Sequence, residues 1–464
     1  MTRRVLVVAY FFPPLGGVGV QRTLKYVKYL PQNGWQPVVV TPARPAYTVR
    51  DASLLDELPG DIQVERTSSF EPARLPIAVA ARLSRGRADA SDAPERTVSD
   101  ATVGPAGAGL AARVLARGMG AWKSVWGLLL FPDAAAGWVG PATRRGLAVH
   151  RLEPFDAIYS TSGPISCHLI AGKIAARTGL PWIADFRDPW IGNAFAKPVR
   201  GLHAIQQRRM ERRIVEKADK VIFATQGLLE AYSARYPGAA GKMLVIPNGY
   251  DRADFAVPAE GSADADRAGT RSSRRPFRLV YTGSFYGERE LGLFLEGLEI
   301  LVGRRPAVKD QLEVEFVGWL SAHNRAIAAE YSSPVRLGSM LRFSGFVAHA
   351  DAIRKAASAD ALLQIIADDP RKGEVQGGKL MEYLGQDRQI LAVVPEGAAR
   401  DVLRELDWGI IAEPTPDGVA MGLERLLDEP LPQRRADPEG RYDRVNLAAR
   451  LAACLDETVE AATH

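Results

Sequence analysis

The chain has 464 residues, of which 47% are hydrophobic and 24% are charged. This composition argues against a disordered chain or a fibrous repeat, and the length exceeds what one hydrophobic core fills, so we expect two globular domains. Only Cys167 and Cys454 are present, which disfavours a disulfide framework or a cysteine-rich zinc site and fits a reducing cytoplasm.

Positive charge is concentrated in the first half of the chain. Residues 1–250 contain 32 Lys and Arg against 19 Asp and Glu, a balance of +13 within a total net charge of +5. Two interpretations stay open: differently charged solvated surfaces, or a first half that meets an anionic substrate or an anionic membrane surface. We expect no nucleic-acid partner. No apolar run reaches the roughly 18 residues needed to span a bilayer.

Short β-branched runs alternate with longer helical patterns. In the first half a helix is predicted from Val18 to Leu30, and strands are predicted at 4–10, 37–41, 157–162, 182–186 and 220–225. The pattern restarts after residue 276, with strands predicted at 277–283, 312–318, 341–346, 361–366 and 389–394. This alternation predicts α/β domains with doubly wound parallel sheets.

These runs predict two Rossmann-like domains, covering residues 1–255 and 277–440. The polar stretch 256–276 between them predicts a linker or a mobile surface loop. A similar stretch at 84–109 predicts a disordered insertion in the first domain. The closing helix, 441–464, could pack back across the domain junction.

A glycine-rich loop follows the first predicted strand and opens a helix, with the sequence PPLGGVGVQR. Its glycines, Gly16, Gly17 and Gly19, occupy the place where open α/β sheets bind ligands and where backbone can approach a phosphate. A dinucleotide site is disfavoured, because Arg22 takes the position of the third glycine and Thr41 stands where an acidic residue would hold a ribose. The loop indicates either a functional phosphate site or a tight turn.

Two later segments place polar side chains near strand ends. The helix in SGPISCHLIA carries His168 in its first turns, where a histidine is either structural or catalytic. The segment ADFRDPW brings Asp185, Arg187 and Asp188 to the carboxyl edge of the sheet, which is the functional edge in such folds.

In the second half, the segment GEVQGGKLMEYLG combines a cation, two carboxylates and paired glycines. A helix that begins near Gly378 places Lys379 and Glu382 on one face, and the amides of Gly377 and Gly378 then point out of its N-terminus, where a phosphate is favoured. Glu374 lies in the preceding loop. The two carboxylates could cap a helix or act as the catalytic pair of a glycosidase. The lysine and the glycines beside them instead favour a site that binds a nucleotide sugar.

These segments together resemble family-4 glycosyltransferases of the GT-B fold. The resemblance covers nearly the whole chain, through FPPLGGVGVQR, FPDAAAGWVGPA, SGPISCHLIA, ADFRDPW, VIPNGYD, YTGSFYG, RFSGFVAHADA and EVQGGKLMEYLGQDRQILAVVPEGAARDVL. It implies two Rossmann-like domains facing across a cleft, the N-terminal one for the acceptor and the C-terminal one for the nucleotide sugar.

The resemblance also implies an activity: retaining transfer of a sugar from a nucleoside diphosphate to a hydroxyl of a carbohydrate or lipid-linked acceptor, in cell-surface polysaccharide or glycolipid synthesis. Neither a metal nor a cofactor is expected. The alternatives are a nucleotide-sugar epimerase of the same fold and a sugar-nucleotide-binding protein without transfer.

Carried over by motif, the resemblance assigns Glu374 to donor-sugar hydroxyls, Lys379 to the diphosphate and Glu382 to the ribose. It places Gly16 and Gly17 against the donor phosphate and the acceptor.

The segment YTGSFYGERE adds Gly283 and Ser284 to the donor loop and offers Arg289 as a second phosphate cation. Many relatives have a histidine where this chain has FRDPW. The contact to the sugar therefore falls to Arg187 or Asp188, or to the nearby His168.

A basic segment at 110–131 mixes Arg113, Arg117 and Lys123 with tryptophan and aliphatic residues. This mixture is typical of helices that lie at a membrane interface, and a core helix with exposed basic residues is the alternative. The expected location is the cytoplasm, with peripheral attachment to the inner face of the membrane as an option.

Overall fold

A computed structural model describes residues 2–47, 49–71, 131–193, 199–255, 275–285, 290–347, 349–366, 377–430, 432 and 434–463. Several sequence-based expectations fall outside the described residues: the insertion at 84–109, the basic segment apart from Phe131, most of the expected linker, Arg289 and Glu374.

The chain divides into two compact units. Unit 1 comprises Met1–Pro247 and Arg444–His464, and unit 2 comprises Asn248–Asp443. The division falls several residues away from the expected boundaries after 255 and 440. The reason is Tyr250, whose N–H donates to the Tyr442 carbonyl (3.0 Å) and whose hydroxyl donates to Asp437 (3.0 Å), so that this stretch packs within unit 2.

The described strands of unit 1 are β1 Arg3–Val8, β2 Trp35–Pro42, β3 Gln63–Thr67, β4 Ala157–Thr161, β5 Trp182–Phe186, β6 Lys220–Phe223 and β7 Met243–Val245. They form a parallel sheet in the order β3-β2-β1-β4-β5-β6-β7. The order reverses between β1 and β4, so their carboxyl ends flank the topological switch point, where open α/β sheets bind ligands.

The described helices of unit 1 are α1 Val18–Tyr29, α2 Val139–Leu152, α3 Ser166–Thr178, α4 Gly201–Lys217, α5 Gln226–Arg235 and the closing helix α13 Arg444–Thr463. The apolar face of α13 includes Leu447, Leu451 and Leu455, which are fully buried in one of the unit's hydrophobic clusters. Asp456 fastens α13 to the sheet, since it accepts hydrogen bonds from Arg3 Nη1 (2.5 Å) and Trp35 Nε1 (3.1 Å). The closing helix therefore completes unit 1.

Unit 2 has the described strands β8 Phe277–Thr282, β9 Leu312–Val317, β10 Leu341–Gly345, β11 Ala361–Ile365, β12 Gln389–Val393 and β13 Ile410–Ala412. They are parallel, in the order β10-β9-β8-β11-β12-β13. Its described helices are α6 Glu290–Arg304, α7 Val308–Gln311, α8 Ala322–Tyr331, α9 His349–Ala357, α10 Gly378–Gly385, α11 Ala398–Glu405 and α12 Pro416–Asp428.

Hydrophobic clusters line both faces of each sheet, as expected for parallel sheets buried on two sides. Two parallel α/β domains confirm the predicted fold class. Among the described helices, none has the length and apolarity needed to cross a bilayer.

Candidate functional site

The glycine-rich loop of unit 1 is held against a second loop. Gly16 N–H donates to the Val49 carbonyl (3.1 Å), and Asp51 N–H donates to the Pro14 carbonyl (3.0 Å). A Cβ at Gly16 would lie 3.1 Å from Asp51 Cβ and 3.2 Å from Val49 Cγ1. Gly17, with φ +87°, is the residue before α1 and adopts a backbone conformation that favours glycine. The backbone conformation of the turn therefore favours glycine at Gly17, and a Cβ at Gly16 would crowd Val49 and Asp51. The contact of either glycine with a ligand stays a prediction.

Arg187, in the loop after β5, contacts the first turn of α1 and the loop after β4. Its Nη1 donates to the Gly19 carbonyl (2.9 Å) and its Nε to Asp188 (3.1 Å). A Cβ at Gly163 would meet Arg187 Nη2 at 3.0 Å, so the guanidinium packs closely on that glycine. The Arg187 side chain is 19% exposed and that of Asp188 is 54% exposed. Asp188 is therefore the more accessible of the two to a substrate at the switch point.

Asp185 does not reach the edge of the sheet with its neighbours. Its buried carboxylate accepts two hydrogen bonds from Arg22, at 2.7 and 3.0 Å, and a third from the Tyr159 hydroxyl. Arg22 also donates to the carbonyls of Ile246 and Pro247, both at 2.8 Å. Burial favours the neutral form of Arg22, but the charge of Asp185 outweighs it and raises the Arg22 pKa. Arg22, which takes the position of the third glycine of a dinucleotide-binding motif, thus forms a buried ion pair with Asp185.

His168 is fully buried in α3. Its Nδ1 lies 2.8 Å from Ser160 Oγ, which also accepts a hydrogen bond from Trp182 Nε1 (2.8 Å), and its ring lies 4.6 Å from that of Phe186. Burial lowers the pKa of His168 to about 3, so the imidazole is neutral. This setting favours a structural histidine, and its predicted contact with the sugar stays untested.

Two acidic residues help to position these loops, although sequence reasoning assigned neither of them a role. The first is Asp133. Its carboxylate accepts hydrogen bonds from Ser166 N (2.9 Å), Ser166 Oγ (2.7 Å) and Ala135 N (3.0 Å). It therefore caps the N-terminus of α3 from a distant segment. Burial raises the pKa of Asp133 despite these hydrogen bonds. FPDAAAGW carries the only sequence signal for this cap, an aspartate before a run of small residues.

Glu211, in α4, is the second. Its fully buried carboxylate accepts hydrogen bonds from the hydroxyls of Tyr232 (2.9 Å) and Tyr236 (2.8 Å), from Arg235 Nη1 (2.7 Å) and from Ile191 N (3.2 Å). The bond to Ile191 fastens the loop that carries the predicted site residues after β5. No local sequence pattern indicates this role, because the partners come from two other segments, the end of α5 and the loop after β5.

Glycine backbone forms the carboxyl edge of the sheet in unit 2. Gly283 follows β8 with φ +134°, and Gly318 follows β9 with φ +148°. A Cβ at Gly318 would lie 2.2 Å from the Gly283 carbonyl oxygen, and Gly318 N–H donates to the Gly345 carbonyl (2.8 Å). Only glycine permits this approach, which leaves a surface of bare backbone at the ends of three adjacent strands.

Lys379 extends from α10 to this edge. Its Nζ donates to the Tyr281 hydroxyl (2.7 Å) and lies 4.3 Å from the centre of that ring. Its side chain lies directly over the Cα of Gly283. Tyr383, on the same helix, accepts a hydrogen bond from Thr282 N (2.9 Å), which fixes α10 against the end of β8. The lysine is thus held at the carboxyl edge of the sheet, and its contact with a diphosphate stays a prediction.

The N-terminus of α10 lies at the same edge. Among the described residues no side chain caps it, and Gly377, with φ +75°, precedes its first turn. Sequence reasoning missed a buried amide, that of Gln364, which is the next-to-last residue of β11. Its Nε2 lies 3.4 Å from the position of a Cβ at Gly377. Its Oε1 has no hydrogen-bond partner within the described ranges. Glu382 is half-buried three residues after Lys379, on the same face of the helix.

The described residues therefore form two edges, one in each unit. The edge of unit 2 contains the predicted donor residues Gly283, Ser284, Gly377, Gly378 and Lys379. The edge of unit 1 contains the predicted residues Gly16, Gly17, Arg187 and Asp188. A cation, helix amides and glycine backbone in unit 2 suit an anionic group such as a diphosphate.

Residues 16–249 match the family described as glycosyl transferase 4-like domain. No curated protein sequence is significantly similar to the chain.

Solved structures share the fold at low sequence identity. The Anabaena protein Alr3699/HepE in complex with UDP and glucose is 15% identical, with a TM-score of 0.58 over 98% of this chain and 100% of that one. A glycosyltransferase from Rickettsia africae is 11% identical, with a TM-score of 0.59 over 99% of both chains.

The alpha,alpha-trehalose-phosphate synthase (UDP-forming) from Burkholderia xenovorans, in complex with glucose-6-phosphate, is 13% identical, with a TM-score of 0.57 over 100% of both chains. At identities this low, the structural similarity establishes the fold alone.

Proposed function

Because the chain belongs to the glycosyl transferase 4-like family, we propose that it transfers a sugar from a uridine diphosphate sugar to a hydroxyl of a carbohydrate or lipid-linked acceptor. The observation that carries this proposal is the position of Lys379 over Gly283, beside the N-terminus of α10. The choice of uridine is supported by the structural neighbours that were solved with UDP or described as UDP-forming.

The proposed chemistry is stabilisation of the leaving diphosphate. As the bond between the sugar carbon and the diphosphate oxygen breaks, negative charge grows on the diphosphate. The ammonium of Lys379 and the first amides of α10 are suited to bind that charge. Glu382 is suited to accept hydrogen bonds from the ribose hydroxyls, and Glu374 from those of the sugar.

We further propose that transfer retains the anomeric configuration and needs no metal. In this mechanism the acceptor oxygen forms the new bond on the face that the diphosphate leaves, and the acceptor proton passes to a diphosphate oxygen. No separate nucleophile is then required. Asp188, exposed in the loop after β5, is suited to orient the acceptor.

The proposal is tested with a panel of nucleotide sugars incubated with the protein, with and without lipid extract, in the presence of EDTA. UDP release with a glycosylated product supports transfer, and proton NMR of that product reports its configuration. Isomerised donor without acceptor would support an epimerase instead, and binding without turnover would support a non-catalytic protein.

Lys379→Ala tests the observation on which the proposal rests. We expect transfer to fall about ten- to a hundredfold, because a charge-assisted hydrogen bond contributes roughly 1.5–3 kcal/mol. Lys309→Ala is the matched control, since that lysine is exposed in α7. Unchanged kinetics in Lys379→Ala would remove the residue from the site.

If the acceptor is lipid-linked, the same proposal includes attachment of the protein to a membrane surface. It rests on the basic first half of the chain and on Arg113, Arg117 and Lys123. Anionic vesicles should bind the protein more tightly than neutral ones, and salt should release it, because such attraction is screened within about 8–10 Å. Equal binding to neutral vesicles, or none to either, would favour an acceptor in solution.

A further inference from the structure

Unit 1 contains a cavity of about 210 Å³ beside the glycine-rich loop. Thr41 and Pro42, at the carboxyl end of β2, line it together with Pro14 and Leu15 from the loop after β1. The cavity therefore opens at the edge of the sheet where α/β folds bind their ligands. None of the roles assigned above uses it.

Two arginines from separate segments line this cavity. Arg66 belongs to β3, and its Nη2 donates to the Pro13 carbonyl (2.6 Å), which fixes one side of the guanidinium. Arg50 is positioned through its backbone, which forms an antiparallel bridge with Leu15. Both arginines are thus placed by contacts that do not neutralise their charge.

Among the described residues that line the cavity, none is acidic. The acidic residue next to Arg50, Asp51, accepts hydrogen bonds from Ser53 N (3.1 Å) and Ser53 Oγ (2.5 Å) and caps the short helix that follows. The acidic residue next to Arg66, Glu65, accepts a hydrogen bond from Arg145 Nε (2.6 Å).

The two cations repel each other in this setting. Burial lowers the pKa of Arg66, and the charge of Arg50 lowers it further. A guanidinium carries five N–H donors, and Arg66 uses one of its nitrogens on a carbonyl. An anion in the cavity would accept the remaining donors and offset the repulsion.

We propose that Arg50 and Arg66 form a subsite for a phosphate group of the acceptor. The proposal rests on the proposed function, since it specifies the chemical class of the acceptor in unit 1. Two guanidinium groups match a phosphate, which carries about −1.5 to −2 at pH 7, better than a carboxylate with a single charge. Their planar donors also suit bidentate contact with phosphate oxygens. The acceptor is then a sugar phosphate or a phosphate-bearing lipid.

Calorimetry on the whole chain tests this subsite, with UDP present at saturation so that a diphosphate site in unit 2 is filled. The probes are inorganic phosphate, glucose 6-phosphate, and phosphatidylcholine vesicles that contain a polyprenyl phosphate. Arg50→Gln and Arg66→Gln should each weaken binding of the phosphate-bearing probe about tenfold or more. Arg44→Gln is the control, because that arginine is exposed like Arg50 and Arg66 but does not line the cavity.

The choice of probes separates the two sources of phosphate. Tight binding of glucose 6-phosphate supports a soluble acceptor, and tight binding of the polyprenyl phosphate vesicles supports a lipid acceptor. Arg50→Gln is decisive if Arg66→Gln fails to fold, since the Arg50 side chain makes no hydrogen bond within the described ranges. Phosphate binding that is unchanged in Arg50→Gln, or equally weakened in Arg44→Gln, overturns the subsite.

UDP affinity, measured first, keeps the two proposals apart. A wild-type protein that binds neither UDP nor any nucleotide sugar contradicts the proposed function. A protein that binds UDP, but whose phosphate binding does not depend on Arg50 and Arg66, overturns the subsite alone.

Discussion

The side chain of Lys379 lies against the Cα of Gly283, so that a Cβ at Gly283 would come within 1.9 Å of Lys379 Nζ and 2.0 Å of its Cε. The glycine at the end of β8 and the lysine on α10 therefore depend on each other. Any side chain at Gly283 would occupy the path by which the ammonium reaches the carboxyl edge of the sheet.

Gly283→Ala should displace Lys379 and weaken UDP binding by about tenfold or more, because a charge-assisted contact is lost or misdirected. The backbone at Gly283, with φ +134°, adds strain for any residue with a Cβ. Calorimetric titration with UDP measures the effect. Gly303→Ala is the control, since a Cβ there meets nothing within 4 Å. Unaltered UDP affinity in Gly283→Ala would separate Lys379 from the diphosphate.

The central strands were predictable from sequence and three edge strands were not. β3, β7 and β13 each lie at an edge of their sheet. An edge strand is paired on one side only, so it is commonly short or polar. β3 has the polar sequence QVERT, while β7 and β13 have three residues each. The hydrophobic runs that identify buried parallel strands are absent from such segments.

Some residues of the candidate site were likewise predictable from sequence and others were not. The glycines and Lys379 were predictable because each lies within a few residues of a strand end or a helix start. The functions of Arg22 and Glu211 were not, since their buried partners lie far along the chain. Arg22 binds Asp185 across 163 positions, and Glu211 binds two tyrosines more than 20 positions away. Only the folded chain brings such partners together.

The two glutamates of the donor segment should differ in their effects. Glu382→Ala should weaken UDP binding about tenfold, because the ribose loses a charged acceptor. Glu374→Ala should mainly lower turnover and alter the preference among donor sugars. Kinetics with several UDP-sugars and calorimetry with UDP distinguish the two. Glu424→Ala, on α12, is the control. Equal losses of folding stability, with no change in donor binding or turnover, would assign both residues a structural role.

The burial of His168 should make folding stability depend on pH. Its pKa is lowered to about 3 in the folded chain and is about 6.5 when the chain is unfolded. The unfolded state therefore binds a proton that the folded state does not, so stability is lost as pH falls below about 6.5. Between about pH 7 and about pH 5 this loss amounts to about 2 kcal/mol.

His168→Leu removes that titration, so urea unfolding should show a smaller loss of stability between about pH 7 and about pH 5. The exposed histidine His323, changed to Gln, is the control. A pH dependence that is the same in His168→Leu and in the wild type would contradict a neutral, buried imidazole.

Glu211→Gln should loosen the loop that carries Arg187 and Asp188. The substitution keeps the shape of the side chain but places an amide NH₂ among hydrogen-bond donors, including the N–H of Ile191. We expect the free energy of unfolding to fall by about 1–3 kcal/mol, since a buried donor is left unsatisfied. Hydrogen exchange at the Ile191 amide should become faster than in the wild type, and this increase should exceed any increase at amides of the central strands.

A positioning role for Glu211 has a kinetic signature that a loss of stability alone lacks. At a temperature where the variant is fully folded, transfer in Glu211→Gln should have a lower kcat, while UDP affinity is unchanged. The loop belongs to unit 1, whereas Lys379 and Glu382, which are proposed to bind the diphosphate and the ribose, belong to unit 2. Glu216→Gln, on the exposed face of the same helix, is the matched control. If Glu211→Gln loses stability but retains wild-type kcat, the loop after β5 does not position catalytic groups. The proposed contact between Asp188 and the acceptor would then be contradicted.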